Sequence, residues 1–326
     1  MKNLHYLFIL ISIFFLFTSC DTSTTEMDKS NDKMGITPSV DSKKTQALLL
    51  TQPFEFDASD AHKVTGDYIP RKKLIVPANL PDKHKWIMFE GPTLENDVVA
   101  YRFYGDSRNR ADIFGKTVPD LVMDTVSWKY HDIMNWGSDI LKVGNSLGLG
   151  SPAIWYQDTL YTLSDYEEKT IEVLENALNK STIRTTFKNL NIEGVKFDLI
   201  QDWSIEAGQP WTEIHLEVLN GELPDGMSFA TGIVKHLPNI IEGETSTYDY
   251  AMNWGKQSFH KENLGMAILA EKKYQAESIK NQLSHAFAFK NAKQEVRYRM
   301  LAVWERDNNK VKDATAFKEL VAQSGK

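Results

Sequence analysis

Alternation with a period of two residues runs through this chain and narrows its fold more than any other feature. Val195, Phe197, Leu199, Trp203 and Ile205 share one parity, with Lys196, Asp198, Asp202 and Ser204 mostly on the other. Thr212, Ile214, Leu216 and Val218 alternate with Trp211, Glu213, His215 and Glu217, and Gly208-Gln209-Pro210 lies between the two runs. Two alternating runs around a turn signal predict a β-hairpin. Similar runs occur at 98–104, 153–156, 160–163, 183–187, 229–234, 266–269, 285–289 and 296–304, separated by turn signals such as Asn220-Gly221 and Pro224-Asp225-Gly226. Helical patterning is confined to 272–283 and 313–323, while 128–142 fits neither period. Strands this frequent, with no short repeat, predict an all-β protein built as a large antiparallel sandwich or barrel with a short C-terminal helix. No linker interrupts residues 50–326, so one catalytic-sized domain is expected there.

The N-terminus predicts export. Lys2 and His5 precede an apolar run from Tyr6 to Phe17, followed by Thr18, Ser19 and the single cysteine, Cys20. This is the layout of a signal peptide over residues 1–19. The run is too short for the ~20 residues of a membrane-spanning helix. A cysteine directly after the cut resembles the lipobox of bacterial lipoproteins, with Phe17 standing where leucine is usual. Cys20 is thus the expected lipidation site. A Ser/Thr/Asp/Lys-rich stretch follows, and residues 20–49 read as a flexible, lipidated tether. The expected location is the bacterial cell envelope, with the lipid anchor in the outer membrane.

Once Cys20 is lipidated the chain has no thiol, which excludes disulfides, thiolate metal sites and cysteine nucleophiles. A net charge of −7 with no basic block argues against nucleic acid as a partner. Eight Trp, sixteen Phe and twelve Tyr supply a core without covalent staples. No metal-binding spacing is present and no cofactor is expected. Gly144-Asn145-Ser146-Leu147-Gly148 matches the hydrolase elbow as a string, but Pro152 breaks any helix after it.

Candidate chemistry concentrates in three places. In the hairpin, core-facing Ile214, Leu216 and Val218 leave Trp211, Glu213 and His215 on the opposite face, a set suited either to a sugar-binding groove or to a plain solvated surface. Arg102 and Tyr104 repeat that pattern opposite Val99, Tyr101 and Phe103. The stretch from Trp128 to Ser146 interleaves His131, Asp132, Asp139 and Lys142 with Tyr130 and Trp136. His131 can act as a general base because its ordinary pKa is near neutrality, although a packed structural histidine would look the same. Arg102, Lys142 or Lys235 could hold a carboxylate. A third region places Tyr250 and Trp254 after Lys235-His236.

The lipobox, Arg108-Asn109-Arg110-Ala111-Asp112-Ile113-Phe114-Gly115-Lys116, Tyr130-His131-Asp132, the run from Asp139 to Gly148 and the segment Tyr250–Gly255 together resemble the domain-of-unknown-function family 4861. These are secreted proteins and lipoproteins of Bacteroidetes polysaccharide-utilisation systems. The resemblance implies a β-supersandwich similar to that of sugar mutarotases and polysaccharide lyases. It also implies work on polysaccharide fragments, with ulvan-type oligosaccharide dehydratase activity, and it supplies no catalytic motif.

The expectation that follows is a dehydratase, a carbon–oxygen lyase acting on an acidic, uronic-acid-containing oligosaccharide. Such a site needs a base (His131 or His215), a cation (Arg102, Lys142 or Lys235) and an acid (Tyr104 or Tyr250), with Trp136, Trp211, Glu213 and Trp254 contacting sugar. His131, His215 and Arg102 are expected in one groove with Tyr104, Glu213 and Tyr250 nearby. The alternatives are a non-catalytic glycan-binding lipoprotein, or a glycoside hydrolase pairing Glu213 with Asp132 or Asp139.

Overall fold

A computed structural model describes residues 42–326. Among them, nine strands form one large antiparallel sheet in the order Ile241–Glu244, Tyr248–Lys256, Asn263–Glu271, Glu295–Trp304, Trp211–Val218, Val195–Glu206, Lys180–Ile192, Glu168–Asn176 and Lys73–Ile75. The predicted hairpin lies at its centre, with Trp203 opposite Ile214 and Asp202 opposite His215. Gly208, at φ +71°, makes its turn, a conformation that glycine adopts without a steric penalty.

Two smaller antiparallel sheets pack against the large one. One runs Thr45–Leu48, Thr93–Asn96, Ala100–Phe103, Ala111–Lys116 and Gly137–Asp139; the other runs Thr159–Thr162, Ala153–Tyr156, Ser228–Val234, Ser284–Phe289 and Ala276–Ile279. A single apolar core joins all three, with Tyr101 and Phe103 from the first, Phe229 and Phe289 from the second, and Trp203, Ile214 and Leu216 from the large sheet. The expected all-β sandwich is therefore the observed architecture. The helix Ala314–Ser324 closes the chain, capped by Asp313, whose side chain accepts from the Ala316 N–H. It lays Phe317 and Val321 over Met252, Leu269 and Val303, on the far face of the large sheet.

Two local expectations are corrected. Residues 272–283 are not a helix: Lys272–Tyr274 form one 3-10 turn, and Ala276–Ile279 is a strand hairpinned to Ser284–Phe289. Asn281 closes that hairpin by accepting from the N–H groups of Leu283 and Ser284, a local side-chain bond that competes with helix. The ordered domain also begins before residue 50. Thr45–Leu48 pairs with Thr93–Asn96 and buries Thr45 and Ala47, so the tether expected to reach residue 49 ends before Thr45. Cys20 and the export segment lie outside the described residues.

The feature that positions the site is a polar-to-apolar cover over the outer face of the first small sheet. Residues 117–136 form it, placing Met123, Tyr130 and Trp136 against Ala100 and Phe114. Its start is fastened by Glu95, which accepts from the N–H groups of Val122 and Met123 and pairs with the fully buried Lys116 at 2.7 Å. Its end is fixed at Gly137, where φ is +137° and a Cβ would sit 1.8 Å from the Gly115 carbonyl oxygen. No other residue fits there.

Candidate active site

Strand parity turns Tyr101, Phe103 and Ile113 to the core and sends Arg102 and Asp112, cross-strand partners, to the outer face. Tyr104 continues the Arg102 parity. Where the cover ends, these three side chains meet Tyr130, His131 and Asp139 at the floor of a cleft of about 590 Å³.

Arg102 organises the floor and is itself buried. Its Nε and Nη2 donate to Asp112 Oδ2 at 3.1 and 2.6 Å, and Nη2 also donates to Asp139 Oδ2 at 2.7 Å. Nη1 donates to the Tyr130 hydroxyl at 3.0 Å and to the Phe89 carbonyl at 3.3 Å, while Nη2 also reaches the Tyr104 hydroxyl at 3.1 Å. Every N–H of the guanidinium is engaged, so the buried charge is compensated and none is left to hold a ligand. Burial opposes the Arg102 charge, but Tyr104, Asp139 and Asp112 outweigh it and hold its pKa well above the ordinary value. Burial and then the nearby Asp139 push Asp112 up to about 6, against the pull of Arg102. Burial likewise pushes Tyr130 up to about 12 and Tyr104 higher still.

His131 stands differently. Its Nδ1 lies 3.3 Å from Asp139 Oδ2, and its ring is about half exposed to the cleft. The hydrogen bond to Asp139 raises its pKa against partial burial. A histidine anchored through one ring nitrogen keeps the other free to exchange a proton. Tyr130 braces the ring from one side, with centroids 4.5 Å apart.

Around the rim are Lys83, Lys85, Arg110 and Lys142, none of which has a carboxylate within 4 Å among the described residues. Arg108, by contrast, is consumed by Asp106 and Glu90 and sits over the Tyr104 ring at 3.7 Å from its centroid. The arrangement therefore offers a proton-accepting imidazole, two phenols on a buried guanidinium and, at the mouth, positive charge without a carboxylate partner, although Arg110 Nη1 donates to the Gly144 carbonyl at 2.6 Å.

A family model for a domain of unknown function, DUF4861, matches residues 14–326. The chain belongs to the DUF4861 family. A search of curated proteins finds no match. Among solved structures, a putative kojibiose phosphorylase from human microbiome is similar with a TM-score of 0.36 and 9% identity, over 70% of this chain and 32% of that one. The chain thus spans about a third of that protein's length.

In this DUF4861 chain, five of the anticipated residues share the cleft: Arg102, Tyr104, His131, Asp139 and Lys142. Arg102 is not free to bind substrate, for the reason given above. The expected single groove does not include His215 or Glu213. They sit on the outer face of the large sheet, where His215 Nε2 is 2.9 Å from Glu295 and Glu213 is 3.7 Å from Arg297. Trp211 lies beneath Arg299 at 4.6 Å, beside the helix, and Tyr250 and Trp254 belong to that same helix-covered face, Trp254 against Phe317 at 5.6 Å. Trp136 packs on Phe114 within the cover, and Lys235 is exposed one residue before His236, whose Nε2 meets the Lys142 carbonyl at 2.8 Å. Alternation predicts which side of a strand a residue takes, but not which sheet's outer face forms the cleft. Asp112, Tyr130, Arg110 and Phe259 went unassigned by sequence reasoning. Asp112 carries the one usable signal, since it alternates with Ala111 and Ile113 as Arg102 does with Tyr101 and Phe103.

Proposed function

We propose that this protein is a carbon–oxygen lyase that removes water from a uronic-acid-containing oligosaccharide, exported and anchored through Cys20. The observation that carries the reading is the His131–Asp139 pair opening into a cleft rimmed by unpaired cations. The hydrogen beside a carboxylate becomes removable only when a cation offsets the charge that builds on the carboxylate oxygens. Lys142 and Arg110 fill that role, since Arg102 has no free donor. His131 Nε2 takes the proton, and the electron pair left on carbon forms the double bond as the neighbouring C–O bond breaks. The departing hydroxide takes a proton from Tyr130 and leaves as water. Tyr130 suits this step because its oxygen accepts from Arg102, which leaves its own proton uncommitted and stabilises the phenolate formed. The Tyr104 proton is held by Asp112 at 2.9 Å.

A glycosidase reading is weaker on geometry. Glu213 belongs to a different face from Asp139 and Asp132. Asp112 and Asp139 both close on a single Arg102 nitrogen, so no free carboxylate pair brackets a sugar. Incubation with uronic-acid-ended oligosaccharides cut from ulvan, followed by mass spectrometry, tests the proposal. Loss of one water supports it, gain of one water marks a hydrolase, and unchanged masses favour a glycan binder.

A further inference from the structure

The rings of Trp128, Tyr130, His131 and Phe259 follow one another along the cleft wall, with successive centroids 5.8, 4.5 and 6.0 Å apart. Three of these rings are accounted for. Tyr130 is buried against Arg102, His131 is held by Asp139, and Trp128 donates its indole N–H to the Tyr68 hydroxyl at 3.0 Å. Phe259 is not. It occupies the turn between Tyr248–Lys256 and Asn263–Glu271, and 50% of its surface is open.

This exposure is not that of a loose loop tip. The Phe259 N–H donates to the Ile140 carbonyl at 2.7 Å. His260 Nε2 meets the Ser138 hydroxyl at 2.8 Å, and the Ser258 hydroxyl accepts from the Glu262 N–H at 2.9 Å. Both Ile140 and Ser138 adjoin Asp139, so the turn is tied to the strand that carries the His131 partner. A large apolar face is thus held bare, at fixed height, at the mouth of a polar cleft. The cations on the rim can bind an anion but offer nothing to the C–H face of a sugar ring. Phe259 supplies such a surface next to the reactive histidine.

We propose that Phe259 is a sugar-stacking platform, so that the substrate spans at least two sugar units: one over His131, which reacts, and its neighbour lying with its C–H face on Phe259. This deepens the lyase reading and rests on it for the identity of the reacting unit. The carboxylate of the reacting sugar then points to Lys142 and Arg110, away from the phenyl ring.

Isothermal titration calorimetry on the His131→Gln protein tests this without turnover. The probes are glucuronic acid and a glucuronate-ended disaccharide cut from ulvan. The disaccharide is expected to bind on the order of tenfold more tightly than the monosaccharide. Adding Phe259→Ala should erase that gain while leaving monosaccharide affinity within about twofold, and Phe259→Tyr should retain it. Equal disaccharide affinity with and without Phe259, an equal loss for both probes, or no binding of either overturns the platform. Failure of the lyase reading is separately visible: wild-type protein that binds disaccharide through Phe259 yet releases no water keeps the platform and ends that reading.

Discussion

His131 Nδ1 lies 3.3 Å from Asp139 Oδ2, and the same oxygen accepts from the buried Arg102 at 2.7 Å. One carboxylate therefore orients the imidazole and ties it to the charge network beneath the cleft. Replacing His131 by Gln should lower kcat/KM by about a hundredfold or more, the usual loss when a proton-transfer group is removed. Because the ring is half exposed, Tm should change little. Normal turnover in His131→Gln removes the base assignment, and a large loss of Tm makes His131 structural.

The pair also sets a pH dependence. Asp139 raises the His131 pKa above its ordinary 6.5, and the imidazole must be neutral to accept a proton. Activity should therefore rise with pH through a midpoint above 6.5. Asp139→Asn removes the main cause of the shift, so the midpoint should move down and the plateau should fall as the ring loses its orientation. A kcat/KM profile with an unmoved midpoint would show that Asp139 does not act through His131.

Arg102 should matter first for folding. Arg102→Met leaves Asp112 and Asp139 buried without their counter-charge, a change that costs about 3–5 kcal/mol in comparable sites. Urea unfolding measures it, and a loss below about 1 kcal/mol contradicts the role assigned to Arg102.

His215 provides the contrast. It pairs with Glu295 on the far face of the large sheet, outside the cleft. His215→Ala should leave kcat/KM unchanged and lower stability by roughly 1 kcal/mol or less, as expected for a partly exposed ion pair. A hundredfold drop in turnover would place the chemistry on the other face.

Much of the architecture was legible because strands declare themselves by parity. The run at Ala153–Tyr156, the hairpin turn at Gly208 and the C-terminal helix all stand where alternation and turn residues put them. The strand Ala276–Ile279 was hidden because its turn is closed by the Asn281 side chain, and tertiary pairing outweighed a weak helical period. The site was legible only in part. Arg102 and Tyr104 were on the correct face, but that a buried guanidinium would gather Asp112, Asp139 and Tyr130 is a property of three strands and a cover meeting. Sequence spacing cannot express it.

Asp307 supplies a test of the packing behind the cleft. It is buried, accepts from the N–H groups of Lys116 and Trp304, and burial pushes its pKa up to about 7 from 3.8. Folding therefore favours its protonated form. This contribution is complete below pH 3.8 and is lost as pH rises through about 7. Unfolding free energy should be lower at about pH 8 than at about pH 5, and Asp307→Asn should reduce that difference. An unchanged slope in the variant contradicts it.

The most direct measurement of the central claim is the mass of an acidic oligosaccharide incubated with wild-type and His131→Gln protein side by side, both shown to be folded by their melting curves. The wild type should release one water from the substrate, and the variant should leave the substrate unaltered. Unaltered substrate with both, or a gained water with the wild type, contradicts it.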